Sequence, residues 1–137
     1  MSVFSIIDTS ASGMTAQQLR VDIISNNIAN ADTTKTKEGG PYRREIPIFA
    51  ERLVETARGT VERGVEVVGI VKDRSPFRKI YDPSNPDAGK DGYVEMPNVN
   101  ILREMVDLIS AQRTYEANAT VISDAKAMAS SAVQIGR

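Results

Sequence analysis

The chain has 137 residues, a formal net charge of −1, and neither cysteine nor histidine. A length of this order predicts a single domain with a modest core, and the balanced charge provides no bulk attraction to nucleic acid or anionic membranes. Without thiolates and imidazoles, zinc sites and catalytic triads built on them are excluded. We therefore expect no metal, no cofactor and no enzymatic activity.

The N-terminal segment MSVFSIIDTSASG has no basic region and only a short apolar run, so we expect no cleaved signal peptide. No apolar stretch approaches the roughly 18 residues that span a bilayer, so no direct membrane insertion is expected. All six prolines lie between Pro41 and Pro97, where most of the charges are also found. This unevenness predicts a terminal helical assembly domain, 1–31 with 98–137, and an insertion of loops and short strands, 32–97.

The first zone predicts one helix from about Ser2 to Ala31. A seven-residue apolar series, completed by Ile24 from a companion series, forms a coiled-coil-like inter-helix seam: Ile7, Met14, Val21, Ile24 and Ile28. An ordinary amphipathic core helix explains this seam equally well.

A second stripe of small, apolar and amide side chains follows the same helix away from the seam: Ala16, Leu19, Ile23, Asn26 and Asn30. A surface helix of a monomer normally carries charge on that side. Because so short a chain should not cover two sides of one helix, we interpret this as an assembly stripe. The isolated chain is then expected to have disordered or molten termini, and Ile23→Asp to block assembly.

The last zone predicts a second helix from Asn98 to Arg137. Pro97, Asn98 and Asn100 provide a start signal, Glu104 suits the first-turn dipole, and Gly136 marks the end. At about 1.5 Å per residue such a helix is on the order of 55 Å long. Its predicted seam comprises Ile101, Met105, Leu108, Tyr115, Ala119, Ile122, Ala129 and Val133, widened in the first half by Leu102, Val106 and Ile109.

The middle zone predicts loops and short strands. Tyr42–Phe49 and Val65–Val71 are strand candidates, and Phe77–Tyr81 is expected to pair with the latter; residues 82–87 and 90–92 predict turns. The predicted fold class is mainly α, with two long terminal helices in an antiparallel, coiled-coil-like α-hairpin. A small β-hairpin or meander with loops is inserted between them.

Two charged clusters have bland and functional interpretations. The cluster around Tyr42, Arg43 and Arg44 could grip nucleic acid or form salt bridges across a subunit interface, but interleaved acids favour a solvated or inter-subunit loop. The aspartates at 82, 87 and 91 lack the spacing and terminal Glu of a calcium loop, so turn chemistry is the better interpretation.

Three blocks carry a resemblance to a known family. The Asn-rich block SNNIANADT at 25–33 resembles the signature that closes the first helix of flagellar axial proteins. The blocks EGGPYRR at 38–44 and DGYVEMPNVN at 91–100 are similar to the proximal rod branch of that family. The residues that carry the resemblance are Asn26, Asn27, Asn30, Gly39, Gly40, Pro41, Tyr42, Arg43, Arg44, Gly92, Tyr93, Pro97 and Asn98.

The resemblance implies a structural subunit of the bacterial flagellar basal-body rod, the axial shaft that transmits motor torque. It implies export by the flagellar type III apparatus and a position in the periplasm. The implied partners are copies of the chain itself, other rod proteins, and the basal-body membrane ring and junction protein. From the residues alone, a soluble coiled-coil adaptor or secretion chaperone remains an alternative, and a hydrolase using a carboxylate pair is a remote one.

Overall fold

The computed structural model describes residues 3–56 and 59–136, with side chains outside 55–63. Two long helices bracket four strands: α1 (Val3–Ala29), β1 (Glu45–Thr56), β2 (Gly59–Lys72), β3 (Arg78–Tyr81), β4 (Tyr93–Met96) and α2 (Ile101–Ile135). The expected fold class is confirmed. Within the described ranges, neither helix is long and apolar enough to cross a membrane.

Both helices end close to where the sequence predicts. Asn100 caps α2, since its side-chain oxygen accepts a hydrogen bond from the backbone N–H of Arg103 at 3.2 Å. The N–H of Gly136 bonds the carbonyl of Ala132 and ends the helix. The predicted first and last helical residues, Ser2 and Arg137, lie outside the described residues.

The two helices pack side by side and antiparallel, forming the α-hairpin. Asn27 of α1 bonds Glu104 of α2, Arg20 contacts Asp107, and Gly13 lies against Asn118. Contacts that lie further toward the N-terminus of α1 therefore lie further toward the C-terminus of α2, as antiparallel packing requires.

β1 and β2 form a two-stranded antiparallel β-ribbon that is longer than the sequence predicts. Glu45 opposes Lys72, and pairing continues to Thr56 opposite Gly59, with register shifts at Ile48/Phe49 and Glu51/Leu53. Apolar alternation is weak in the charged half of the ribbon, which is why the pattern located only its base. Pro47 is accommodated within β1, opposite Ile70.

The expected pairing of Phe77–Tyr81 with Val65–Val71 is wrong. β3 instead pairs with β4, with Arg78 opposite Met96 and Tyr81 opposite Tyr93. The turn region between them folds the chain back, as Asp82 N–H bonds the carbonyl of Gly92, whose φ of 77° suits glycine. β2 pairs with β1 in the β-ribbon instead.

The assembly stripe also needs correction. Ala16 and Ile23 are each 3% exposed, and the β-ribbon packs on the side of α1 that carries Ala16. The backbone N–H of Val65 bonds Ser12 Oγ at 3.1 Å, and Arg52 forms an ion pair with Asp8. The chain therefore covers part of the stripe internally, and Ile23→Asp would disturb the fold itself.

Candidate functional site

Four side chains from three segments meet where α1 ends and α2 begins, and we call them the polar junction: Asn27, Tyr42, Arg44 and Glu104. Asn27 is 1% exposed and Glu104 is 0% exposed. Buried polar groups are costly unless hydrogen-bonded, so their partners decide whether the junction stabilises the chain.

Asn27 uses its full hydrogen-bonding capacity. Its Nδ2 donates to the backbone carbonyl of Glu45 at 2.9 Å and to Glu104 Oε2 at 3.0 Å. Its Oδ1 accepts from the N–H of Glu45 and from the Tyr42 hydroxyl, both at 2.9 Å. The side-chain amide thus pairs with both peptide groups of Glu45, as a neighbouring strand would, and ties α1 to the first residue of β1.

Glu104 is a fully buried carboxylate with two partners. Arg44 Nε donates to its Oε1 at 2.6 Å, and Asn27 bonds the other oxygen. A charge-assisted bond of this kind offsets part of the desolvation cost of burial. First-turn dipole stabilisation, the role expected from sequence, is therefore secondary to this contact.

Arg44 connects the junction to its surroundings. Its guanidinium also approaches Asp73 at 3.6 Å and Asp107 at 3.7 Å. Hydrogen bonds from Ser75 and the neighbouring Arg44 hold the pKa of Asp73 below its usual value. The backbone N–H of Arg44 donates to Asn98 Oδ1 at 2.8 Å, so α2, the base of the β-ribbon and the segment before α2 are joined at one residue.

A tight turn positions Tyr42. Gly39 and Gly40 adopt φ values of 87° and 73°, which favour glycine, and the N–H of Tyr42 bonds the carbonyl of Thr33. Burial, together with the carboxylates of Glu45 and Glu104, raises the pKa of Tyr42 to about 12. The hydroxyl therefore stays protonated and donates a hydrogen bond to Asn27 Oδ1.

The predicted basic cluster is engaged within the chain. Arg43 donates to the carbonyls of Asp73 and Ser75, and its guanidinium lies 4.1 Å from the centre of the Phe77 ring. Lys72 pairs with Glu38 at 2.7 Å. These contacts indicate that the cluster has a structural role within the chain. Within the described part of the chain, no group of three or more acids could hold a metal ion.

Most family-motif residues lie in or beside the polar junction. Pro97 is buried before α2, and Asn98 donates to the carbonyls of Asp73 and Ser75. The Tyr93 ring meets the Tyr81 ring edge-on, with centroids 5.2 Å apart. Asn26 is exposed, whereas Asn30 is half-buried and bonds back to the Asn26 carbonyl.

The predicted seam is divided by the structure. Ile24 is buried, and most of the remainder is half-buried: Ile7, Met14, Val21, Ile28, Leu108, Tyr115, Ala119, Ile122 and Ala129. Three predicted seam residues are exposed: Ile101, Met105 and Val133. The most buried residues of α2 are instead Glu104, Ala111 and Ala125.

An apolar row on α2, which we call the outer face, points away from α1. Leu102, Val106 and Ile109 are 77%, 67% and 52% exposed. The sequence placed these residues on a widened seam, which is wrong, since at 100° per residue they lie opposite Glu104 and Ala111. Three neighbouring apolar side chains exposed to water on one helix face indicate an interaction surface.

The sequence analysis did not predict that Asn27 and Glu104 form the buried hydrogen bond at the centre of the polar junction. A detectable signal exists, because Glu104 is the first member of a seven-residue series with Ala111, Asn118 and Ala125. A lone charge in such a seam position requires a buried partner.

Comparison with known proteins identifies the family of the chain. Residues 7–35 match the family described as flagella basal body rod protein, and residues 90–135 match the C-terminal family of flagellar basal body rod FlgEFG proteins. These regions hold most of α1 with Asn27 and all of α2 with Glu104. They define the chain as a member of the flagellar basal-body rod class.

Curated relatives narrow the class. The chain is 48% identical to the flagellar basal-body rod protein FlgC of Borreliella burgdorferi, with 98% of each chain covered. It is 42% identical to FlgC of Bacillus subtilis and 36% identical to FlgC of Escherichia coli O157:H7, with 100% of each chain covered. The chain belongs to the FlgC family of flagellar basal-body rod proteins.

Proposed function

We propose that the chain is a structural, non-enzymatic subunit of the proximal rod of the bacterial flagellar basal body. It polymerises through its terminal helices into the axial shaft that transmits motor torque. The names of its relatives indicate which assembly the chain belongs to. The exposed outer face of α2 is the observation that supports the proposed mode of polymerisation. The relatives' names give no support to the adaptor or chaperone interpretation.

The outer face supports lateral packing between subunits. Burying a Leu, Val or Ile side chain contributes about 1.5–3 kcal/mol, so three of them on each copy make association favourable once copies are aligned. α2 also continues past the start of α1, which leaves Met128, Val133 and Ile135 exposed near its end. Such a surface suits contacts with several neighbours in a tube.

The proposed partners are copies of the chain, other rod proteins, and the membrane ring and junction protein of the basal body. The proposed route is the flagellar type III export apparatus, without a cleaved signal peptide, to a site that spans the periplasm. The polar junction supports a mechanical role, because it joins the α-hairpin to the β-ribbon through bonds that have defined directions.

The test is Val106→Asp in a strain that lacks the chromosomal copy, with Thr120→Asp as the matched control. Both positions are exposed on the outward side of α2, but Thr120 lies beyond the apolar row. Val106→Asp should abolish motility and remove the subunit from purified basal bodies, while circular dichroism of the isolated variant stays unchanged. Thr120→Asp should retain motility. Normal basal bodies that contain Val106→Asp would contradict the proposal.

A further inference from the structure

The helices of the α-hairpin meet through two seven-residue series. On α1 the series is Ile6, Gly13, Arg20 and Asn27; on α2 it is Glu104, Ala111, Asn118 and Ala125. Two contacts fix how they are aligned. Asn27 bonds Glu104 at 3.0 Å, and a Cβ added at Gly13 would lie 3.3 Å from Cγ of Asn118.

Beyond the polar junction, these two series meet mainly through small residues, flanked by larger half-buried side chains that also repeat every seven residues: Leu108, Tyr115 and Ile122. Ala111 and Ala125 are buried, and Gly13 faces Asn118. Small side chains allow close approach but supply few interlocking knobs, so they discriminate poorly between alignments. The series on α2 even continues to Ala132, past the point where α1 begins. A slide by one heptad would therefore place similar small surfaces together again.

The polar junction does not tolerate that slide. Moving α2 by seven residues would place Asn27 opposite Ala111 and leave the carboxylate of Glu104 without Asn27. Among the described side chains, the buried polar ones are Ser10, Asn27 and Glu104, and two of these three form this bond. A buried polar pair at one heptad position is a known way to select one register among similar ones.

We propose that the Asn27–Glu104 pair, held by Arg44, sets the register of the α-hairpin and selects against an alignment slid by one heptad. The half-exposed pair of Arg20 with Asp107, at 3.5 Å, adds little because exposed ion pairs are weak. The pair thus positions the outer face and the end of α2 relative to the β-ribbon.

Because the chain has no native cysteine, disulfide trapping reports the register directly. Gly13→Cys with Asn118→Cys reports the native alignment, since a Cβ added at Gly13 lies 3.3 Å from the Asn118 Cγ. Gly13→Cys with Ala125→Cys reports the slid alignment. With an intact junction, the first pair should form a disulfide on the order of a hundredfold more readily than the second under mild oxidation.

The same two cysteine pairs are then placed in a chain that carries Asn27→Leu and Glu104→Met, which replaces the polar pair with apolar side chains of similar size. Arg44 keeps Asp73 and Asp107 as partners. We expect the preference for the native pair to fall to within about threefold, while circular dichroism still reports both helices. Glu104→Gln, which keeps the shape but removes the charge, should give an intermediate ratio.

Two results would overturn the proposal. One is a junction variant that remains helical and still cross-links only at 13 and 118, because helix packing would then set the register unaided. The other is the loss of helical structure in both the double variant and Glu104→Gln. That outcome would make the junction a requirement for folding rather than a choice among registers.

Discussion

Asn27 concentrates four hydrogen bonds in one buried side chain, to Tyr42, Glu104 and both peptide groups of Glu45. Asn27→Ala leaves each of these groups without that partner. We expect the free energy of unfolding to fall by about 3 kcal/mol, since unpaired buried polar groups cost about 1–3 kcal/mol each and some will reach water. Denaturant unfolding followed by circular dichroism measures the difference.

The adjacent Asn26 provides the control, because it is the same residue type in the same turn of α1 but its side chain is exposed. Asn26→Ala should change stability by less than about 0.5 kcal/mol. Equal losses for the two variants would mean that the Asn-rich block acts through helix termination and not through the polar junction.

Because of the raised pKa of Tyr42, we expect the folded chain to lose stability at alkaline pH. This pKa is raised to about 12 in the folded chain, against about 10 when unfolded. Below pH 9 both states keep the proton; between pH 10 and 12 the unfolded chain ionises first, so stability falls as pH rises. With allowance for solvent screening, we expect a loss of about 1 kcal/mol between pH 9 and 11.

Tyr42→Phe isolates this contribution. The variant should be less stable at pH 7, because Asn27 Oδ1 loses a donor, but should lose less stability between pH 9 and 11. Parallel stability–pH curves for the two proteins would assign the alkaline loss to other groups.

At the scale of elements, the approach of β2 to α1 depends on Gly64. Its φ is 91°, and an added Cβ would overlap Ser12 Oγ and lie 3.5 Å from Thr9 Cα. Gly64→Ala combines an unfavourable backbone with a clash, so we expect a destabilisation of about 2–4 kcal/mol. Thermal unfolding measures this loss.

Gly69 is the matched control in the same strand, since nothing lies within 4 Å of a Cβ added there. Gly69→Ala should be neutral or slightly stabilising, because alanine reduces the entropy of the unfolded chain. If Gly64→Ala proved as mild as Gly69→Ala, the β-ribbon would have to shift away from α1 at little cost.

For the whole molecule, burial is uneven along α2. Glu104 and Ala111 are fully buried near the polar junction, whereas Met128, Val133 and Ile135 are largely exposed. Hydrogen exchange should therefore be slowest from about 104 to 118 and fast beyond about 126, because local opening is cheapest where few apolar contacts are lost. Mass-spectrometric exchange on the free chain tests this.

This expectation refines the prediction that the isolated chain has disordered termini. Disorder should be confined to the ends of the helices that lie far from the polar junction, and assembly should order them. Uniform protection along the whole of α2 would contradict both versions.

The sequence by itself determined the two helices, their caps at Asn100 and Gly136, the presence of strands between them and the family. Each of these follows from signals read within one segment, such as periodicity, turn residues and motif blocks. The pairing of β3 with β4 and the burial of Ala16 and Ile23 were decided only by the tertiary structure, because pairing partners compete across long separations.

The same reason explains the site. The sequence marked three of the junction residues as members of family motifs and the fourth, Glu104, as a partner of the helix dipole. That these side chains contact one another depends on the antiparallel packing of α1 and α2. Likewise, periodicity located apolar positions on α2 without stating which side meets α1. The structure places Ala111 inward and Val106 outward, since the small side chain of Ala111 allows the close helix contact.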